Sequence, residues 1–168
     1  MAPVDPRAAE LLAAIPYTGS AIWTFGYRRE DIPNPLDAFG FLIPKRERIT
    51  IMACTWVATK WPGRVPEGMA VLRCFATDPN VTEEAMRADL RRLMGITAQP
   101  LFALCNSWPD TMPQYTVGHS ARIAEIEARM TAIFGLHLAG NAYHGIGIPD
   151  CVRSAKQAAD RISGNRSL

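Results

Sequence analysis

The residues best placed to do chemistry lie near the C-terminus. Gly140 and Asn141 open a loop that also holds Gly145 and Gly147, and Pro149 then starts a helix. Leu136–Ala139 precedes the loop as a very short apolar strand. A strand feeding a glycine-rich loop and then a helix N-terminus is how α/β proteins build a site for an anionic or electron-rich ligand. The glycines allow close backbone approach, and the free N–H groups of the first helical turn carry partial positive charge. On spacing alone, a plain turn before a capped helix remains open as the alternative. Neither GxGxxG nor a P-loop pattern occurs anywhere in the chain.

Other reactive side chains are scattered. Cys54, Cys74, Cys105 and Cys151 contain no CxxC pair, and the first three sit in apolar, strand-like runs. They read as buried free thiols in a reducing compartment. Cys151 lies in a first helical turn, where a thiolate is favoured and a packed thiol is the alternative. His119, His137 and His144 show no HExxH or other zinc spacing, so metal catalysis is not expected. His119 is read as a helix-start residue bonding backbone, with acid/base work as the alternative; His144 either meets solvent or faces a ligand. Arg73 and Asn106 are polar residues inside strand patterns that face solvent or line a cavity, and Arg64 is a solvated charge in a turn. None of these is singled out as catalytic.

The elements that must position these residues follow from period and punctuation. Asp5-Pro6 with Ala8, Leu11, Leu12 and Ile15 predicts a short helix capped by Asp5 and stopped at Pro16. Residues 18–27 alternate as a strand, and Arg28–Asp37 is a loop. Phe39–Ile43 and Ile49–Val57 read as a hairpin around Lys45–Arg48. A second turn region, 61–68, leads into a strand over Met69–Thr77. Thr82-Glu83-Glu84 opens a helix on which Met86, Leu90, Leu93 and Met94 form one face, closed by Gly95. A strand over Leu101–Trp108 and a turn over Pro109–Pro113 come next. A longer helix then buries Ile123, Ile126, Met130 and Ile133. The last helix turns Val152, Ala155, Ala159 and Ile162 inward. The fold class is α+β: a mostly antiparallel sheet of about five strands with packed helices, plus the C-terminal strand, loop and helix. Both sheet faces are apolar in places, so something must cover the sheet.

Composition bounds the class. The chain has 168 residues, 48% hydrophobic and 20% charged, with a net charge of +2, which fits one domain or part of a larger one. The basic residues line no single stretch and are not interleaved with aromatics, so nucleic acid is not expected. There is no signal-peptide pattern in the first 15 residues and no bilayer-length apolar segment. The expected location is cytoplasmic, at most peripheral to a membrane.

The segment Leu138-Ala-Gly-Asn-Ala-Tyr-His-Gly-Ile-Gly-Ile-Pro-Asp-Cys-Val-Arg-Ser-Ala resembles the C-terminal flavin-contacting motif of bacterial protoporphyrinogen oxidases, within the FAD-dependent amine oxidase superfamily. Trp108-Pro109, Met112-Pro113-Gln114-Tyr115 and Gly118-His119 are similar to the stretch before that motif. Phe39–Pro44, Trp61–Arg64 and Glu67-Gly68 resemble its substrate-domain sheet. The resemblance implies FAD as cofactor and a porphyrinogen substrate losing hydride to flavin on the way to porphyrin in heme biosynthesis. It implies that Gly140 and Asn141 approach the ribityl and phosphate region. Gly145, Gly147 and Ile148 bring backbone toward the isoalloxazine, and the helix from Pro149 aims its N-terminus at the pyrimidine edge. Trp108 lies near the flavin or is a core anchor; Arg73, with Asn106, meets a porphyrinogen propionate or solvent.

On this reading residues 1–134 are part of a substrate-binding domain, and residues 135–168 are the flavin-contacting end of an incomplete FAD-binding domain. The family's N-terminal GxGxxG half does not occur in the sequence. Three alternatives follow. The chain is a C-terminal, truncated part of such an enzyme, inactive alone or awaiting a complementary FAD-domain chain; it is a non-catalytic module for a tetrapyrrole or other flat ligand; or it is a remnant that forms a homodimer. The resemblance leaves protoporphyrinogen and coproporphyrinogen both open.

Overall fold

The computed structural model describes residues 4–164. In chain order they form α1 (Pro6–Ala13), β1 (Tyr17–Arg28), β2 (Gly40–Leu42), β3 (Ala53–Trp56), α2 (Val57–Lys60), β4 (Met69–Ala76), α3 (Glu83–Met94), β5 (Phe102–Pro113), α4 (His119–Thr131) and α5 (Ile148–Gly164). The fold is α+β, with one five-stranded sheet in the order β2-β3-β4-β1-β5. The β2–β3, β3–β4 and β4–β1 pairs are antiparallel. Two further bonds bracket an antiparallel β1–β5 pair: Leu101 N–H to the Gly26 carbonyl at 2.7 Å, and Gln114 N–H to that of Pro16 at 2.8 Å. The described residues form two compact units, one of residues 19–111 and one of residues 4–18 with 112–164. Position 134/135 falls inside the second.

In residues 19–111 the register decides what is buried. Trp23, Phe25 and Tyr27 stand opposite Cys74, Leu72 and Ala70, and Cys54 and Trp56 stand opposite Cys74 and Leu72. Opposed residues share a face, and this one packs with Met86, Leu90 and Met94 of α3. The helix forms there because Thr82 Oγ1 accepts the Ala85 N–H at 3.3 Å, two glutamates occupy the first turn, and Gly95 at φ 71° ends it. The Cys54 and Cys74 sulfurs lie 3.7 Å apart as free thiols. The hydrogen bond to Cys54 and burial together push the Cys74 thiol well up.

In the other unit, α1 and α4 share a core of Ala8, Leu11, Ile15, Ile123, Ile126 and Met130. Asp5 caps α1 through the Ala8 N–H at 2.9 Å, which holds its carboxyl below the usual range, and Arg129 stands 3.3 Å away.

Five expectations need correction. Leu136–Ala139 forms no strand. A strand needs a ladder partner, and Leu136 and Leu138 instead pack onto the α1–α4 core. Residues 109–113 are not a turn but continue β5 along the sheet edge, where a proline's missing N–H is tolerated; Asp110 at φ 49° bends the strand there. Cys105 is exposed because that edge strand is open, not buried. The strand predicted over 49–57 is shortened to β3, since Val57–Lys60 turns helical. Finally, α5 contains no buried residue: Val152 is 63% and Ile162 40% exposed, with Ala155 and Ala159 exposed as well. No described element covers that stripe.

Two tests follow. All four tryptophans lie in residues 19–111, so tryptophan fluorescence reports that unit. Leu90→Ala should lower its stability by about 2–5 kcal/mol in urea titration, as for a fully buried leucine. Burial also pushes the Tyr27 phenol up to about 12. The folded unit therefore keeps a proton that the unfolded chain releases near pH 10. This contribution is intact below pH 10 and is lost as pH rises toward 12. The loss should be visibly smaller in Tyr27→Phe; equal alkaline losses would mean that Tyr27 is not the titrating group.

Candidate functional site

The glycine loop is held residue by residue. Gly140 donates its N–H to Ser154 Oγ at 3.1 Å, and that hydroxyl donates to the Cys151 carbonyl at 2.9 Å. The Asn141 carbonyl accepts from the Tyr115 hydroxyl at 2.7 Å. Ala142 is buried in the α1–α4 core. His119 Nε2 bonds the Tyr143 carbonyl at 3.2 Å, so this nitrogen carries the proton. His144 Nε2 lies 2.7 Å from Glu127. Gly145 donates its N–H to the Tyr115 hydroxyl at 2.9 Å. The Tyr115 ring stacks on His119 at 3.9 Å, with 13° between the planes.

The loop then enters α5, whose first N–H groups lack intrahelical partners. Asp150, in that first turn, pairs with Arg153 at 2.8 Å. Its carboxylate folds back across the loop: a Cβ on Gly145 would come 2.5 Å from Asp150 Oδ2, and one on Gly147 3.1 Å. Gly145, at φ 129°, is therefore a glycine on two counts, its backbone angle and the side chain above it. Gly140 differs. Its φ is 130° and an added Cβ would meet nothing within 4 Å. One end of the loop is open and the other is covered by a carboxylate.

The structure brings Gly140, Asn141, Gly145, Gly147, Ile148 and Pro149 together as loop and helix start, with Ile148 81% exposed. His119 bonds backbone, as the sequence indicates. Trp108 is half-exposed on β5 rather than a core anchor, and Asn106 is exposed on the same strand. Arg73 lies on the sheet face opposite the α3 side, in a row with Thr24 and Thr55. Its guanidinium sits 5.5 Å over the Phe75 ring. A cavity of about 600 Å³ is lined by Glu127, Met130, Phe134, His137, Leu138 and Arg161, and no residue from 140 to 149 lines it.

Sequence reasoning missed the anchors Tyr115, Glu127, Ser154 and Asp150. Tyr115, Asp150 and Ser154 lie in the stretches that carry the family resemblance, but only Asp150 had a local signal for its part, an acidic residue right after the helix-opening proline. Tyr115 and Ser154 act across 26 and 14 residues, where no local pattern reaches.

The profile described as flavin containing amine oxidoreductase matches residues 1–163. The chain belongs to this family. It is 31% identical to the coproporphyrinogen III oxidase of Staphylococcus aureus, over 94% of this chain and 36% of that protein. It is 33% identical to that of Bacillus subtilis, over 84% and 32%. A crystal structure from Exiguobacterium, of a protein provisionally described as a protoporphyrinogen oxidase, superposes with a TM-score of 0.78 at 30% identity, covering 92% of this chain and 36% of that one. Reduced UDP-galactopyranose mutase shares the fold, with a TM-score of 0.72 at 12% identity. The chain thus spans about a third of the length of the relatives it matches. Among the described residues, no helix is long and apolar enough to cross a membrane.

A flavin fits one end of the loop better than the other. The open space at Gly140 and the exposed first turn of α5 admit it, whereas the Asp150 carboxylate already fills the approach over Gly145. The close approach that the glycines were expected to offer is thus met at Gly145 by this chain's own side chain.

One prediction separates the two reasons for glycine at 145. Gly145→Ala should cost about 1–3 kcal/mol for the backbone angle alone, with the Asp150 clash added, read by far-UV circular dichroism in urea. Pairing it with Asp150→Gly should remove the clash but leave the cost of the backbone angle. A coupling energy of at least about 0.5 kcal/mol is expected; strict additivity would show that Asp150 does not constrain the loop.

Proposed function

We propose that this chain supplies the flavin-contacting loop and part of the substrate-facing sheet of a porphyrinogen oxidase acting in heme biosynthesis. The observation that carries the reading is the match to coproporphyrinogen III oxidases at 31% and 33% identity over most of this chain. The protoporphyrinogen oxidases matched from tobacco and cattle are 27% and 26% identical. Coproporphyrinogen is accordingly the substrate we assign.

FAD, when bound, would supply the hydride acceptor for oxidation of the porphyrinogen. Each residue of this chain has a separate part. Gly140 and Asn141 present open backbone to the ribityl and phosphate region. Ile148 and the first turn of α5, with Gly145 and Gly147 behind it, turn their positive end toward the pyrimidine edge. Pro149 sets the entry angle of that turn without using an N–H. Trp108 offers an exposed ring for contact with the flavin. Arg73, flanked by the hydroxyls of Thr24 and Thr55 on a face that also carries Phe75, Ile22 and Val71, pairs with a propionate while the macrocycle lies on the apolar side chains. Asn106 is the weaker second contact.

Residues 135–168 on this reading are the end of an FAD-binding domain, and residues 1–134 belong to the substrate-binding side. The dinucleotide fingerprint is carried elsewhere, on a complementary chain or segment, and this polypeptide is inactive alone. The protein works in the cytoplasm, at most peripheral to the membrane. The exposed stripe of α5 and the open edge of β5 favour association over an isolated monomer.

The test is an FAD titration of the 168-residue chain, following flavin fluorescence, with size-exclusion chromatography on the same sample. Without the adenine-binding portion, the expected dissociation constant lies in the high-micromolar to millimolar range, about −4 to −5 kcal/mol. Sub-micromolar quenching would overturn the claim that the chain needs a complement. No binding even near millimolar FAD, seen by NMR, would overturn the role of the loop. A stable dimer that binds a porphyrin and no flavin would favour the non-catalytic binding module.

A further inference from the structure

The Tyr115 hydroxyl sits between two loop groups that no other described side chain joins. It donates to the Asn141 carbonyl at 2.7 Å and accepts the Gly145 N–H at 2.9 Å. One oxygen thus fixes both ends of a five-residue span. The span holds a glycine at φ 129°, an angle that the backbone alone would leave unspecified. The ring cannot swing away freely, because it stacks at 3.9 Å on His119, which is 6% exposed. His119 is fixed in turn: its Nε2–H donates to the Tyr143 carbonyl inside the same span, at 3.2 Å. Its Nδ1 has no partner among the described residues, so the ring is held by the stack and by this one bond. Two side chains at the entrance to α4 therefore hold three successive parts of the loop.

We propose that Tyr115 is the positioning residue that sets the glycine loop in its flavin-receiving shape before any ligand arrives. The inference rests on the proposed flavin role of the loop. Preorganisation of this kind removes an ordering cost that binding would otherwise bear. Tyr115 touches no reacting atom; it acts through the Asn141 carbonyl and the Gly145 amide.

The experiment compares the wild-type 168-residue chain with Tyr115→Phe, which keeps the ring on His119 and removes both hydrogen bonds. Amide hydrogen exchange by NMR is measured first without ligand. Gly145 should exchange at least about tenfold faster in the variant, while amides in the middle of α4 keep their rates. FAD is then titrated to about 1 mM, following the amide shifts of residues 140–148. The wild type should respond there, and the variant should bind about tenfold more weakly, equivalent to about 1.4 kcal/mol. Tyr115→Leu, which loses the stack as well, should weaken binding further.

Unchanged Gly145 exchange in Tyr115→Phe would overturn the proposal. So would a lowered unfolding midpoint with unchanged FAD affinity, the signature of a residue that only supports the fold. If Gly145 exchanges faster in Tyr115→Phe but the wild type shows no FAD response at 140–148, the flavin role of the loop falls, and the flavin-receiving part of this inference with it. The two failures are told apart by the ligand-free measurement.

Discussion

The register of β1 against β4 is the constraint from which the rest of the 19–111 unit follows. With Phe25 opposite Leu72 and Trp23 opposite Cys74, one face is apolar throughout and takes α3. The same register puts Thr24 opposite Arg73, and Thr55 opposite Arg73 on the other side. A slip of one residue would bury the guanidinium beneath α3 and expose Leu72. Burying an unpaired charge is far more costly than any contact on the open face could repay. Core packing therefore also fixes the display of the cation, and no separate interaction is needed to aim Arg73 away from the core. Gly26 and Gly40 keep this arrangement tight. The Phe102 ring lies where a Cβ on Gly26 would be, and the Cys54 carbonyl lies where one on Gly40 would be.

The glycine loop obeys a different logic. It has no ladder, and its conformation comes from single side chains reaching across the unit to successive backbone groups. Ala142 drives one point of the loop into the α1–α4 core, and polar bonds secure the residues on either side. Asp150 adds a feature of opposite sign to the ligand proposed for the loop. A carboxylate in the first turn of α5 satisfies the helix dipole when nothing else does. It therefore lessens the positive potential available to a bound anion. Arg153, 2.8 Å away, partly offsets that charge. The helix start is thus a tempered electrostatic site, and Gly140, at the other end, is where the backbone stands open.

What was legible in the sequence was what rests on local pattern. The Asp5 and Thr82 caps, the Gly95 stop, Met86, Leu90 and Met94 of the α3 stripe and the alternation of β1 and β4 appear where period and capping residues place them, whereas Leu93, expected on the same face, is exposed at its edge. The failures share a cause as well. Leu136–Ala139 has strand composition, but a strand is a relation between two segments, and its own composition cannot supply the partner. Residues 109–113 have turn composition, yet an open sheet edge tolerates two prolines. The glycine loop could be located but not explained: its spacing suggested a ligand approaching Gly145, and the group found there is Asp150, five residues on.

The α5 stripe was read correctly as a pattern and wrongly as a location. Val152, Ala155, Ala159 and Ile162 recur at helical spacing, and such a stripe is informative because a helix ordinarily needs a packed face to be stable in water. Here the face is exposed, while Cys151, Ser154 and Ala158 hold α5 only partly buried. The loop before it, by contrast, is anchored without any help from that face. One element thus combines a helix start that is firmly placed with a helix body whose apolar stripe is uncovered among the described residues. The stripe and the loop are therefore held independently, and substitutions in one should leave the other's measurements unmoved.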